Sequence, residues 1–206
     1  MESSRNIIQY LQELAIELIH LQMPTGTAFH LLVAGGAYML IQEKRQSTED
    51  IDFALLEMPA HIPQQNTVFR TTIQHGEISA KKSIIPNADT FKRAVKIVAQ
   101  RNTLPDDWMN DEAAVYYYDD APQADVLFWR SFENVLYVYL PTMQYMLATK
   151  IAAYRQKDRR DITLLLQALN IQTREEARAI VDTFLLPEAQ EFWKVETTLN
   201  RLFRVK

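Results

Sequence analysis

Apolar positions recur at helical spacing from the start of the chain. Ile7, Leu11, Leu14, Ala15 and Leu18 fall three or four residues apart, so residues 4–22 are expected to form an amphipathic helix. Met23-Pro24-Thr25-Gly26-Thr27 breaks it. The short apolar run His30-Leu31-Leu32-Val33-Ala34 then reads as a buried strand, followed by Gly35-Gly36 and a short helix over residues 37–42. After a polar stretch, residues 51–56 read as a second strand. Further on, the pattern predicts a strand over 68–73, a helix over 89–99, a short helix over 106–114, and strands over 124–129 and 135–140 joined by a turn.

The last third changes period. Residues 143–154, 160–169, 175–185 and 188–202 all read as helices. Thr173 and Glu176 have capping-box spacing, and Pro187 stands where a helix start tolerates proline. Ile162, Leu165, Leu166 and Leu169 form one apolar stripe; Phe192, Val195, Leu199 and Leu202 form another, and such stripes are core faces. The expected fold is α/β (α+β): a mixed sheet flanked by helices over residues 1–140, with a helical C-terminal region over 141–206 packed on it.

Composition narrows the functional classes. Hydrophobic residues make up 48% and charged residues 23%, which is ordinary for a globular chain. No apolar run reaches the roughly 20 residues of a membrane span, and the N-terminus lacks the features of a signal peptide. The absence of cysteine excludes disulfides, zinc–thiolate sites and cysteine nucleophiles, and fits a cytoplasmic setting. His20, His30, His61 and His75 lack metal-ligand spacing. A net charge of −4 means that any nucleic-acid role would need a local basic patch.

Candidate chemistry gathers between the first two strands. On a strand, Asp50 and Asp52 point to one face while Ile51 and Phe53 anchor the other. The two carboxylates then stand ~6.5–7 Å apart at their Cα atoms. Like charges so placed repel unless a cation joins them, and oxygen-only ligands favour Mg²⁺ or Mn²⁺. Paired ions of this kind serve in-line phosphoryl chemistry. Upstream, Gly35-Gly36 between strand and helix lets the backbone approach a ligand and suits a triphosphate. Each feature has a plainer reading: the glycines as a tight turn, the acids as a charged strand edge.

Gly35-Gly36, thirteen residues, then Asp50-Ile51-Asp52 resembles the signature of the nucleotidyltransferase superfamily (polymerase-beta-like), and Arg45-Gln46-Ser47-Thr48 is similar to its bacterial branch. Lys150 through Arg155 to Lys157-Asp158 and Asp161 resembles a motif in an uncharacterised branch that includes the AbiEii-type toxins. Pro105-Asp106-Asp107-Trp108-Met109-Asn110 also resembles an element of that branch. The likeness runs from about residue 30 to about residue 200.

The resemblance implies transfer of a nucleoside monophosphate from an NTP to a hydroxyl, with Asp50 and Asp52 as metal ligands. Gly35, Gly36, Ser47 and Lys150 would hold the triphosphate. It also implies a third carboxylate on a later strand, for which Asp125 is the first candidate and Asp119 or Asp120 the alternatives. The acceptor would be RNA (tRNA included), a protein or a small molecule, and a toxin–antitoxin role has precedent. A non-catalytic module that binds nucleotide or a partner protein is the alternative. Lys150 has a second reading, since a lysine in an apolar stripe needs an anionic partner: a salt bridge to Asp158 or Asp161. The basic run from Arg155 to Arg160 reads either as a solvated loop or as a patch for RNA phosphates. Trp108 reads as a packing anchor, and Tyr116-Tyr117-Tyr118 as an aromatic strand more than a base-stacking one.

Overall fold

Continuous apolar runs place two strands at the middle of a sheet. In a computed structural model that describes residues 3–57 and 67–204, β1 (Phe29–Val33) and β2 (Ile51–Leu55) pair antiparallel, with Val33 opposite Phe53. Both strands are almost wholly buried, as expected where helices cover both faces. Among the described residues the sheet has six strands in the order β3-β5-β6-β1-β2-β4. β3 is Val68–Thr72, β4 is Met109–Asn110, β5 is Gln123–Phe132 and β6 is Leu136–Pro141. The β1–β6 and β2–β4 pairings are parallel and the others antiparallel, so the sheet is mixed. β5 and β6 form a hairpin whose turn holds Glu133 and Asn134, both at positive φ, the backbone that matches strand twist in a two-residue turn.

Helices cover the sheet. α1 (Ser4–His20) is capped by the Ser3 side chain and buries the expected apolar face. It packs on α3 (Ala88–Asn102), and buried Glu17 is held there by Arg101 at 2.6 Å. α2 (Gly35–Ile41) links β1 to the loop before β2. After β6 come α5 (Met143–Ala153), a single 3₁₀ turn (Gln156–Asp158), α6 (Arg159–Ala168), α7 (Arg174–Phe184), α8 (Pro187–Phe192) and α9 (Val195–Leu202). The capping box of Thr173 and Glu176 is formed. One hydrophobic cluster runs from α1 through the sheet into α5, α6, α7 and α9. Among the described residues no helix is long and apolar enough to cross a membrane. His61, read above as no metal ligand, lies outside the described residues.

Four local expectations are corrected. The short helix expected over 106–114 does not form, and of these residues only Ala114 is helical, as the first residue of the helix that follows. Trp108 is fully buried with its indole N–H donating to Val95 O at 3.1 Å, and its carbonyl accepts from Ile51 N at 2.8 Å. That anchoring draws Met109–Asn110 into the sheet as β4, with Asn110 beside Asp52. The tyrosine run is not a strand but lies in α4 (Ala114–Asp120), because helical spacing puts Ala114, Tyr117 and Ala121 on one buried face. The expected last helix is divided at Lys194, whose left-handed φ of 52° ends α8 and starts α9. Phe192, assigned above to an apolar stripe, is 74% exposed as a result.

Candidate active site

Backbone geometry at the end of β1 brings the glycine pair against the acidic strand. Ala34 N donates to Asp52 O at 2.9 Å, which pins the two strand ends together. Gly35 follows at φ +59°, a conformation that L side chains rarely adopt. A Cβ at this position would overlap the Asp52 carboxylate oxygen Oδ2. Glycine is therefore required twice over, by its dihedral and by the carboxylate lying on it. At Gly36 a Cβ would strike Thr48 Oγ1 and come within 3.0 Å of Arg45 Nη1. The glycine pair is thus the floor on which Asp52, Thr48 and Arg45 rest.

Asp50 sits just before β2 and is half-buried, with its carbonyl accepting from Thr48 Oγ1 at 3.0 Å. Burial pushes the Asp52 carboxyl above its ordinary range. The neighbouring Asp50 charge adds to that shift, while Lys157, Arg155 and Lys150 oppose it. Among the described residues Asp52 forms no ion pair and no side-chain hydrogen bond. A partly buried carboxylate with a like charge beside it and no fixed partner suits a hard cation, and the donors offered are oxygens only. Asp50 and Asp52 therefore fit a Mg²⁺ or Mn²⁺ ion, with further positions supplied by substrate or water oxygens. Among the described residues no three acidic or histidine side chains cluster as a metal site.

Behind the pair lies a buried ionic network. Lys150 Nζ stands 2.9 Å from Asp158 Oδ1 and 2.9 Å from Asp161 Oδ2, with its side chain 5% exposed. Arg45 grips Asp161 through two parallel bonds of 2.9 Å, the fork geometry that guanidinium favours. Arg155 Nε donates to Asp158 Oδ2 at 2.6 Å. Burial alone would raise Asp158, but the hydrogen bonds and charges of Arg155 and Lys150 hold its carboxyl below the usual range. Both anionic partners proposed for Lys150 on sequence grounds are thus engaged at once. A lysine has three donors, so one remains for the cleft it lines.

The cleft has a volume of about 280 Å³. Asp52, Lys150 and Arg155 form its charged lining, beside Gly35. Tyr116, Tyr117, Asp120 and Trp193 form a second, largely aromatic lining. Burial, and then the charge of Asp52, push the Tyr117 phenol far above its ordinary value, so it stays protonated. Trp193 Nε1 donates to Asp120 Oδ2 at 2.6 Å.

Asp125 is not brought to this site. It lies on β5, with β6 and β1 between it and β2, a separation of three strand spacings or roughly 14 Å. There it takes two hydrogen bonds from Arg70, at 2.7 and 3.0 Å. The acid is paired with a cross-strand cation, since Arg70 stands opposite it in the β3–β5 register. Of the two alternatives, Asp120 lines the cleft and Asp119 is exposed. Ser47 is exposed in the loop before β2, while its neighbour Thr48 is buried against Gly36. Trp193 carries no signal in the sequence; only the packing of α8 beside α4 brings it to the cleft.

Comparison of the chain with models of known protein families, with curated proteins and with solved structures gives no match.

Proposed function

We propose that the cleft between Gly35, Asp52 and α5 is a nucleotide site, and that the protein is a Mg²⁺- or Mn²⁺-dependent nucleotidyltransferase. The observation that carries this reading is the Asp52 carboxylate lying directly on the left-handed Gly35, unpaired and next to Asp50. That is the arrangement a triphosphate and its cation need: backbone without side chains on one side, unsatisfied oxygens on the other. Lys150 and Arg155 add positive charge to the same lining.

In this reading an acceptor hydroxyl attacks the α-phosphorus of an NTP. A new P–O bond forms, the α–β anhydride bond breaks, pyrophosphate leaves and the hydroxyl proton passes to water. Asp50 and Asp52 would hold the cation, which when bound supplies charge neutralisation on the triphosphate. Gly35 and Gly36 let the phosphates approach the backbone. Arg155 and the remaining Lys150 donor offset charge that develops on the leaving group. The ionic network of Arg45, Asp158 and Asp161 fixes Lys150 before substrate arrives.

A second reading is a binding module without turnover, and the position of Asp125 favours it: the expected third carboxylate is held by Arg70 on a distant strand. Transfer of label from α-labelled NTP to RNA, protein or small hydroxyl acceptors, with pyrophosphate release, separates the two. The enzyme reading expects label transfer with Mg²⁺ or Mn²⁺. Nucleotide binding with no pyrophosphate release from any acceptor class would leave the binding module.

A further inference from the structure

The aromatic lining of the cleft is built differently from the protein core. Trp108 is fully buried, with its indole N–H on the Val95 carbonyl. Trp193 instead borders open space and is held from three directions. Tyr116 lies 5.3 Å from it, Phe192 meets it edge-on at 5.0 Å, and Asp120 accepts its indole N–H. The end of α4 is tied to the start of α8 by Leu186 N donating to Asp120 O at 2.9 Å, so ring and carboxylate move together. Tyr116 is 51% exposed, and its ring is tilted 57° to the indole. A fixed, partly exposed indole beside a second ring is a stacking platform whose ordering cost is met before a ligand arrives.

Asp120 gives that platform a chemical preference. A carboxylate is an acceptor only, and its Oδ2 already receives the Trp193 N–H. Its other oxygen seeks a donor. Cytosine and adenine present an exocyclic amino group on the edge where uracil and hypoxanthine present a carbonyl oxygen. A carbonyl facing a carboxylate is repelled and leaves the acid unpaired.

We propose that Tyr116 and Trp193 form a nucleobase subsite and that Asp120 selects bases carrying an exocyclic amino group. This rests on the nucleotide reading above and adds the base class to it.

The test compares binding of CTP with UTP, and of ATP with ITP, to the wild-type protein by isothermal titration with Mg²⁺ present. Each pair differs by an amino group for a carbonyl, with the adjacent ring nitrogen changing from acceptor to N–H donor. The expected result is tighter binding of CTP and ATP by about tenfold or more, the worth of one hydrogen bond to a charged group. Asp120→Asn is expected to abolish or reverse both preferences, because its amide oxygen is kept by the Trp193 N–H and its NH2 group then faces the base edge, where it favours a carbonyl. Trp193→Ala is expected to weaken all four nucleotides by about tenfold, with melting temperatures showing that the variants are folded. Inorganic tripolyphosphate keeps the two levels apart. If it displaces every nucleotide while CTP and UTP bind equally, the base subsite is overturned and the nucleotide site stands. If neither tripolyphosphate nor any NTP binds, both are overturned.

Discussion

Asp52 concentrates the chemistry into one side chain. It is pushed above its ordinary carboxyl value of 3.8 by burial and by Asp50. A carboxyl whose folded value is raised keeps its proton in the native state over a range where the unfolded chain has lost it. Stability therefore falls as pH rises from about 3.8 through that range. Asp52→Asn removes the cost. The variant is expected to melt at a higher temperature than wild type at pH 7, with the difference closing as pH falls to about 3.8. Thermal unfolding across pH checks this, and a destabilised variant at pH 7 would mean that Asp52 has a native partner. Trading stability for an unsatisfied group is what a ligand site does, since the ligand repays the cost on binding.

At the scale of elements, α5 and the turn after it carry the ionic network that backs the site. Lys150 lies among buried apolar residues of α5, and its partners Asp158 and Asp161 are 2% and 0% exposed at their side chains. Lys150→Ala would leave those carboxylates short of a cation in the interior, at a cost of about 3–5 kcal/mol. Urea unfolding measures it; a change within about 0.5 kcal/mol would mean that Lys150 is held for a ligand alone. Most elements around this network were legible beforehand, because amphipathic stripes and apolar runs are local signals. The Lys150 pairing was legible too, since an isolated cation in an apolar helix needs nearby acids and two stood within eleven residues. β4 and α4 were not legible. Their local propensity was overruled by Trp108, which is pulled into the core, and by the helical face of Ala114, Tyr117 and Ala121. Strand order was also out of reach. Nothing near Asp125 in the sequence says that β6 and β1 separate it from β2, or that Arg70 stands opposite it.

Across the whole molecule, sheet and C-terminal helices meet where the chemistry gathers. β2 supplies Asp52 with Asp50 just before it, the start of α2 supplies Gly35, α5 supplies Lys150, and α4 with the end of α8 supplies the aromatic lining. Tyr145 of α5 donates to Ala121 O at 2.8 Å and is fully buried, so the helical part closes on the sheet through packing and a hydrogen bond. The cleft exists only when both are in place. The property proposed for it is affinity for a nucleotide with its cation, and the most direct measurement is isothermal titration of the folded protein with each NTP. The titration is run with and without Mg²⁺, beside an Asp50→Asn/Asp52→Asn variant. The expected result is binding that depends on Mg²⁺ in wild type and falls at least tenfold in the variant, with the variant's melting transition intact. Folded wild-type protein that binds no NTP in the presence of Mg²⁺, or a variant that binds as tightly as wild type, would contradict the assignment of this cleft as a nucleotide site.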